Sequence, residues 1–327
     1  MIILTGGAGM IGSMIAWHLN TILNENKFII FDELINQEQE NNINKRKFVD
    51  LLNKNDLPKY LKNNNKITAI IHMGAITATT ESNFNKLLIS NIRYSQMLWS
   101  WCSENKVPFI YASSAATYGG GENGYNDNET SLSKLTPLNA YGYSKHFFDQ
   151  WALSQIKLNE PSPPQWCGLK FFNVYGPNEY HKNRMASVVF HAFEQFQKKK
   201  EIRLFKSANK KYKDGMQLRD FIYVKDAVEF VIFFLKNNHI SGLFNSGTGT
   251  AQSFNDLANA VLKNTKGDKS NIKYIDMPTD LKGKYQYYTE ANLDKILATG
   301  FNIKFKNLEE GVNDYMQNYL LTSDRYA

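Results

Sequence analysis

The chain has 327 residues, 43% of them apolar, with 38 Lys and Arg against 31 Asp and Glu for a net charge of +7. That apolar share excludes a disordered or collagen-like chain, and the length fits one large domain with an appended lobe, or two domains sharing a cleft. The most apolar runs, 67–78 and 230–235, fall well short of the roughly 20 residues a membrane helix requires, so no span is expected. The opening Met1-Ile-Ile-Leu-Thr has no basic leader or cleavage site, which points to the cytoplasm. Cys102 and Cys167 are isolated thiols without metal-ligand spacing, so no zinc or other metal site is expected.

Taken in chain order, residues 1–5 are an apolar, β-branched run suited to a buried parallel strand. A glycine-dense turn follows, then helical spacing over 10–23 and a second apolar run over 27–31. The Asn-rich, charged stretch 36–47 reads as an exposed loop. Strand patterns recur at 67–72, 107–112, 168–172 and 242–245, with helical patterns between them at 85–105 and 141–158. Pro161, Pro163 and Pro164 mark a loop after the second of those helices. This alternation predicts an α/β fold, a Rossmann-type doubly wound parallel sheet. From about Pro177 the pattern is less regular, as expected of a smaller C-terminal α/β lobe. The expected division is 1–172, with a returning segment near 220–250, against 173–327.

Gly6, Gly9 and Gly12 lie between the first strand and the first helix. Glycines there let the turn and the helix N-terminus approach a pyrophosphate, whose charge the free amides and helix dipole stabilise. Asp32 ends the second strand 20 residues after Gly12, where a carboxylate binds adenosine ribose hydroxyls. A dinucleotide site is therefore expected. Asp32 and Glu33 disfavour a 2′-phosphate and hence favour NAD, while a cation from Lys45, Arg46, Lys47 or Lys54 inverts that preference, so NADP and NAD both stay open. His72-Met73-Gly74-Ala75 ends the third strand and borders the crevice at the carboxyl ends of the strands, unless it is only a turn that needs glycine.

Tyr141 and Lys145 stand four residues apart at a helix start, on one face, where an ammonium favours the tyrosine phenolate and makes a proton carrier usable near neutrality. Ser113 and Ser114, at a strand end, offer hydroxyls to a substrate alcohol. The basic segment Lys198, Lys199, Lys200, Arg203, Lys206, Lys210, Lys211 and Lys213, with Arg219 after it, has only Phe205 and Tyr212 for stacking. Nucleic acid is thus not expected, which leaves a solvated face or a pocket for a small polyanion such as a nucleotide diphosphate.

Together the glycine turn, Tyr111-Ala-Ser-Ser-Ala-Ala-Thr-Tyr-Gly119, the Tyr-x-x-x-Lys pair and Phe172-Asn-Val-Tyr-Gly-Pro177 resemble the extended short-chain dehydrogenase/reductases that act on nucleotide sugars. Further stretches are similar to the branch of that family that epimerises ADP-heptoses at C6 for lipopolysaccharide inner core. They are Asn173 through Lys182, Met185-Ala-Ser-Val, Arg219-Asp-Phe-Ile-Tyr-Val224, Phe244-Asn-Ser-Gly-Thr-Gly249 and Leu281-Lys-Gly-Lys-Tyr-Gln286. The resemblance implies a bound NADP or NAD, an ADP-heptose substrate and a homo-oligomer, commonly a pentamer. It implies Tyr141 and Lys182 as acid/base groups, Ser114 orienting the reacting oxygen, and Lys145 on the nicotinamide ribose. For the cofactor it adds Met10, Ile11, Asp32, Glu33, Met73, Gly74, Ala75, Ile76, Thr77, Asn91, Val174 and Lys182. For the substrate it adds Asn173, Arg184, His191, Phe205, Lys206, Ser207, Ala208, Arg219 and Tyr285. Two positions depart from that pattern: Gln37-Glu-Gln-Glu40, where the branch has a lysine, and Arg184, where it has a small polar residue.

The chemistry agrees with a redox route. A hydrogen at C6 of the heptose is not next to a carbonyl, so its direct removal as a proton would leave an unstabilised carbanion. Oxidation to a 6-keto sugar and reduction on the opposite face avoids this, and the two oxygen positions explain a second proton carrier. A nucleotide-sugar 4-epimerase shares the fold and Tyr141/Lys145 but gives no reason for His181-Lys182. A 4,6-dehydratase needs an acid and a base where Ala115 and Ala116 stand, and a non-catalytic dinucleotide sensor needs neither Tyr141 nor Lys145.

Overall fold

The computed structural model describes residues 1–64, 66–279 and 285–327. The first half alternates strand and helix: β1 (Ile2–Thr5), α1 (Met10–Thr21), β2 (Phe28–Asp32), α2 (Gln37–Ile43), β3 (Asp50–Asn53), α3 (Leu57–Asn63), β4 (Ala69–His72), α4 (Phe84–Leu87), α5 (Tyr94–Asn105), β5 (Phe109–Ser114), α6 (Ala140–Lys157) and β6 (Trp166–Phe171). After these come β7 (Asn173–Tyr175), α7 (Val188–Lys199), β8 (Ile202–Phe205), β9 (Leu218–Tyr223), α8 (Val224–Lys236), β10 (Gly242–Ser246), β11 (Ala251–Ser253), α9 (Phe254–Thr265), β12 (Ile272–Ile275), α10 (Asp294–Leu297) and α11 (Leu308–Tyr315).

Seven strands form one parallel sheet in the order β10-β6-β5-β4-β1-β2-β3. The alternating pleat sorts its apolar runs onto two faces. Ile3, Ile29, Ile70, Phe109 and Leu243 pack with Leu98, Trp99 and Phe148 of α5 and α6. Leu4, Ile30, Ile71, Ile110 and Leu169 pack with Ile15 and Leu19 of α1 and Val228 and Ile232 of α8. This second cluster continues into Phe193, Leu257, Val261 and Val312 of α7, α9 and α11, so the C-terminal part shares the main core. Chain order reverses between β1 and β4, which opens a crevice at their carboxyl ends.

The stretch expected to be an exposed loop, 36–47, instead contains α2. Asn36 caps it by accepting the Gln39 amide at 3.0 Å, and Gln39, Asn42 and Ile43 are buried. Asn42 donates to the carbonyls of Ala8 at 2.9 Å and Asn178 at 3.0 Å, so a run rich in amides is structural here. The 85–105 pattern is interrupted by a π-helical turn at Leu88–Arg93 that carries Asn91. Smaller sheets, β11-β9-β7 and β12-β8, account for the irregular final third. Cys102 and Cys167 are free and buried, which pushes both thiols up and keeps them protonated. Among the described residues, no His, Cys, Asp or Glu cluster is placed to hold a metal, and no helix is long and apolar enough to cross a membrane.

Candidate active site

A cleft of about 310 Å³ runs along the crevice. Its floor is the turn from β1 into α1. Gly6 has φ +68°, and a Cβ there would lie 2.5 Å from the Gly74 amide nitrogen; a Cβ on Gly12 would lie 2.1 Å from the Gly6 carbonyl oxygen. Gly9 at the helix N-terminus supplies no capping side chain. Asp32 accepts the Ala8 amide at 2.8 Å, and burial raises its carboxyl, opposed by that bond and a second from Glu33. A bare turn, an uncapped helix N-terminus and a carboxylate at the end of β2 together fit a dinucleotide. Gly6, Gly9, Met10, Ile11, Gly12, Asp32, Met73, Gly74, Ala75, Thr77 and Val174 line the cleft, and Ile76 and Lys54 line a side pocket with Asn55, Ile89, Ser90 and Tyr94.

Of the basic groups weighed for the ribose phosphate, Lys54 reaches this pocket, where it pairs with Glu33 at 2.5 Å. Lys45 and Arg46 turn away to Asp324 and the Ala327 carbonyl. Asn91 lies behind the wall rather than on it. It pairs with both backbone groups of Ile76 at 2.9 Å and donates to Ser144 at 2.9 Å, fixing the 73–77 loop against α6.

Asn139 caps α6 by accepting the Gly142 amide at 2.8 Å, which presents Tyr141 and Lys145 to the cleft beside Ser114. Burial raises the Tyr141 phenol, and a Ser114 hydrogen bond, rather than Lys145, opposes it. Lys145, 5% exposed, donates to the Ala112 carbonyl at 2.8 Å, and burial lowers it to about 8. One turn further along α6, Asp149 accepts from Ser113 at 2.7 Å and from Tyr111 at 3.0 Å, and pairs with Lys170 at 2.6 Å. That buried network sets the end of β5, and nothing in the sequence spacing announced it.

The opposite rim follows β7. Lys182, in a 3₁₀ turn at Tyr180–Met185, places its ammonium 3.9 Å from the Met10 sulfur. Burial lowers Lys182, while the nearby Glu179 carboxylate opposes the shift. Glu179 is itself buried and accepts from the Ser187 amide at 2.5 Å and its hydroxyl at 2.7 Å. His181, Met185, Phe171, Phe172 and Gln39 also line the cleft; Phe172, His181 and Met185 stand in motifs that carry the resemblance, Gln39 in a stretch that departs from it, and Phe171 in the 168–172 strand pattern.

The remaining substrate candidates fall into two groups. Arg219, 5% exposed, donates to the carbonyls of Leu218 and Gln286 and stacks 4.9 Å from the Tyr285 ring centroid. Gln286 in turn donates to the Gly119 carbonyl at 2.7 Å, which links Arg219 to the segment after Ser114. Phe205 ends β8 and leads into Lys206, Ser207 and Ala208; the Ser207 amide donates to Asp214 at 2.9 Å, and the Gln217 side chain donates to the Phe205 carbonyl at 3.3 Å. Nearer the Lys182 rim, the His191 ring lies 3.4 Å from the exposed Arg184's carbonyl oxygen, and Asn173 meets Thr289 at 3.4 Å. The 281–284 part of the Leu281–Gln286 motif lies outside the described residues.

A Rossmann-type sheet carrying a Tyr–Lys couple against a dinucleotide cleft defines an extended short-chain dehydrogenase/reductase. Residues 2–247 match the NAD dependent epimerase/dehydratase family, and the chain belongs to it; its cofactor is a nicotinamide dinucleotide. The chain is 49% identical over 336 aligned positions, covering all of both chains, to an ADP-L-glycero-D-manno-heptose-6-epimerase of Fusobacterium nucleatum. It is 44% identical, again over all of both chains, to one of Nitratidesulfovibrio vulgaris. A crystal structure of Helicobacter pylori ADP-L-glycero-D-manno-heptose-6-epimerase superposes with a TM-score of 0.81 at 28% identity, over 97% of this chain and 95% of that one.

Proposed function

We propose that this chain is an isomerase that inverts C6″ of ADP-D-glycero-D-manno-heptose to give ADP-L-glycero-D-manno-heptose, through a transient 6″-keto sugar. The observation that carries this reading is that two side chains able to carry a proton line one cleft from separate elements, Tyr141 from α6 and Lys182 from the turn after β7. A nicotinamide dinucleotide bound in this cleft would supply reversible hydride transfer. Tyr141, bonded to Ser114, takes and returns the proton of the C6″ oxygen in one orientation of the sugar, and Lys182 serves the other. Desolvation brings the Lys182 ammonium closer to neutrality, as an exchangeable proton requires. Lys145 would hold the nicotinamide ribose, and Arg219 would grip the ADP diphosphate.

NADP is the cofactor we favour, with NAD as a substitute, because Lys54 brings a cation to the Asp32–Glu33 end of β2. In this reading residues 1–172, joined by the returning α8 and β10, hold the cofactor and 173–327 mostly hold the sugar nucleotide. A cytoplasmic homo-oligomer, a pentamer by family resemblance, completes it, and a native mass measurement tests that assembly. The reaction serves the supply of activated heptose for lipopolysaccharide inner core.

The deciding experiment incubates purified protein with ADP-D-glycero-D-manno-heptose, without added cofactor, and follows C6″ configuration by proton NMR. The expected result is conversion to the L-glycero epimer, lost on combining Tyr141→Phe with Lys182→Ala. Conversion of UDP-hexoses but not of the heptose, with NAD and NADP supplied, would replace this reading with a 4-epimerase.

A further inference from the structure

Residues 324–327 lie across the outside of the cleft and touch both of its rims. On the α2 side, Glu38 pairs with the Arg325 guanidinium at 3.2 Å and accepts the Tyr326 hydroxyl, Asn41 donates to that hydroxyl at 3.1 Å, and Lys45 donates to the Tyr326 carbonyl at 2.7 Å. On the Lys182 side, the Tyr180 hydroxyl donates to the Arg325 carbonyl at 2.6 Å, and the Tyr180 ring lies under the Arg325 guanidinium at 4.4 Å and meets the Tyr326 ring edge-on at 5.3 Å. The Ala327 amide donates to the Asn178 side chain at 3.1 Å. Within the cleft wall the same rims also meet through Asn42, which spans Ala8 and Asn178 and lies 3.3 Å from the His181 ring.

From this we infer that Arg325 and Tyr326 are positioning residues: they clasp α2 to the Tyr180–Lys182 turn, which holds the Lys182 ammonium in place and slows escape of the bound dinucleotide. The inference rests on the reading of the cleft given above. A physical need supports it, because an epimerase that oxidises and then reduces the same carbon loses its product if the reduced cofactor leaves between the two steps. The Asn42 bonds tie the rims at one point from within, and the 324–327 segment adds a second tie across the outside.

The test compares the full-length protein with an Arg325→Ala, Tyr326→Ala double variant and with Glu38→Gln, which breaks the same clasp from the α2 side. NADPH is bound, then chased with excess NADP, and its fluorescence reports release. Losing this set of hydrogen bonds and ring contacts is expected to speed release about tenfold or more in the double variant and a few-fold in Glu38→Gln. The expected kinetic signature is a lower kcat with little change in KM for the nucleotide sugar, since Arg219 is untouched. Tyr326→Phe, which keeps the ring on Tyr180, should restore most of both. Unchanged release and kcat in variants whose melting curves show them folded would reduce the clasp to surface packing and overturn the inference. Absence of any dinucleotide binding by the unaltered protein would instead overturn the cleft reading itself.

Discussion

On the side proposed to hold the cofactor the backbone packs closely on itself, Gly6 against Gly74 and Gly12 against the Gly6 carbonyl, and the Asp32 carboxylate accepts the Ala8 amide. On the side proposed to hold the sugar nucleotide, contacts join side chains far apart in sequence. Arg219 is held by the Gln286 carbonyl, Gln286 reaches Gly119, and Thr289 reaches Asn173. The first kind of site tolerates almost no added volume, because backbone atoms cannot step aside. The second, built from side chains, tolerates change and would adjust affinity by degrees if it holds the sugar nucleotide as proposed.

Gly12→Ala tests the first half of that contrast most severely. The new methyl meets the Gly6 carbonyl, so we expect bound nicotinamide nucleotide to be lost by roughly 100-fold or more in affinity, measured on nucleotide released from denatured protein. Arg219→Ala tests the other half. It should leave cofactor content intact and weaken the nucleotide sugar by roughly 10- to 100-fold, as expected for lost charge-assisted hydrogen bonds, read as KM or by calorimetry. Equal loss of cofactor in both variants would erase the distinction between the two sides.

A gentler probe is acid. His72 sits at the end of β4 between Thr5 at 2.6 Å and Ser95 at 2.9 Å, and burial holds it neutral with its pKa lowered to about 3. The unfolded chain takes up that proton near its ordinary value of 6.5, so stability falls as pH drops below that value. At about pH 4.5 this one group costs roughly 2–3 kcal/mol. Urea unfolding between pH 7.5 and 4.5 should show that slope, and His72→Gln should flatten it. The smallest effect is expected from Lys54→Ala at the exposed Glu33 pair, a few-fold shift from NADP toward NAD in competitive binding.

Much of the cofactor side was legible because its signals are local. The Gly6-to-Gly12 spacing, the end of β2 at Asp32 and the four-residue step from Tyr141 to Lys145 each lie within one strand, turn or helix. Lys182 needed a whole motif to single it out, and the Asp149–Lys170 pair gave no sign, since a buried ion pair needs two partners that the fold alone brings together. α2 differs from the exposed loop expected there for a related reason: Gln39 and Asn42 look solvent-loving until their buried partners are known.

The packing of α1 on α8 has a consequence for synthesis. Trp17 and His18 of α1 meet Lys225 and Glu229 of α8, and Ile15 and Leu19 share its apolar cluster. The ribosome makes α1 more than 200 residues before the helix that covers it. Until then the nascent chain carries an uncovered apolar face, which makes it a candidate for trigger-type chaperones. Stalled chains ending before residue 224 should therefore be cut by protease within α1, and chains extending well past residue 246 should resist.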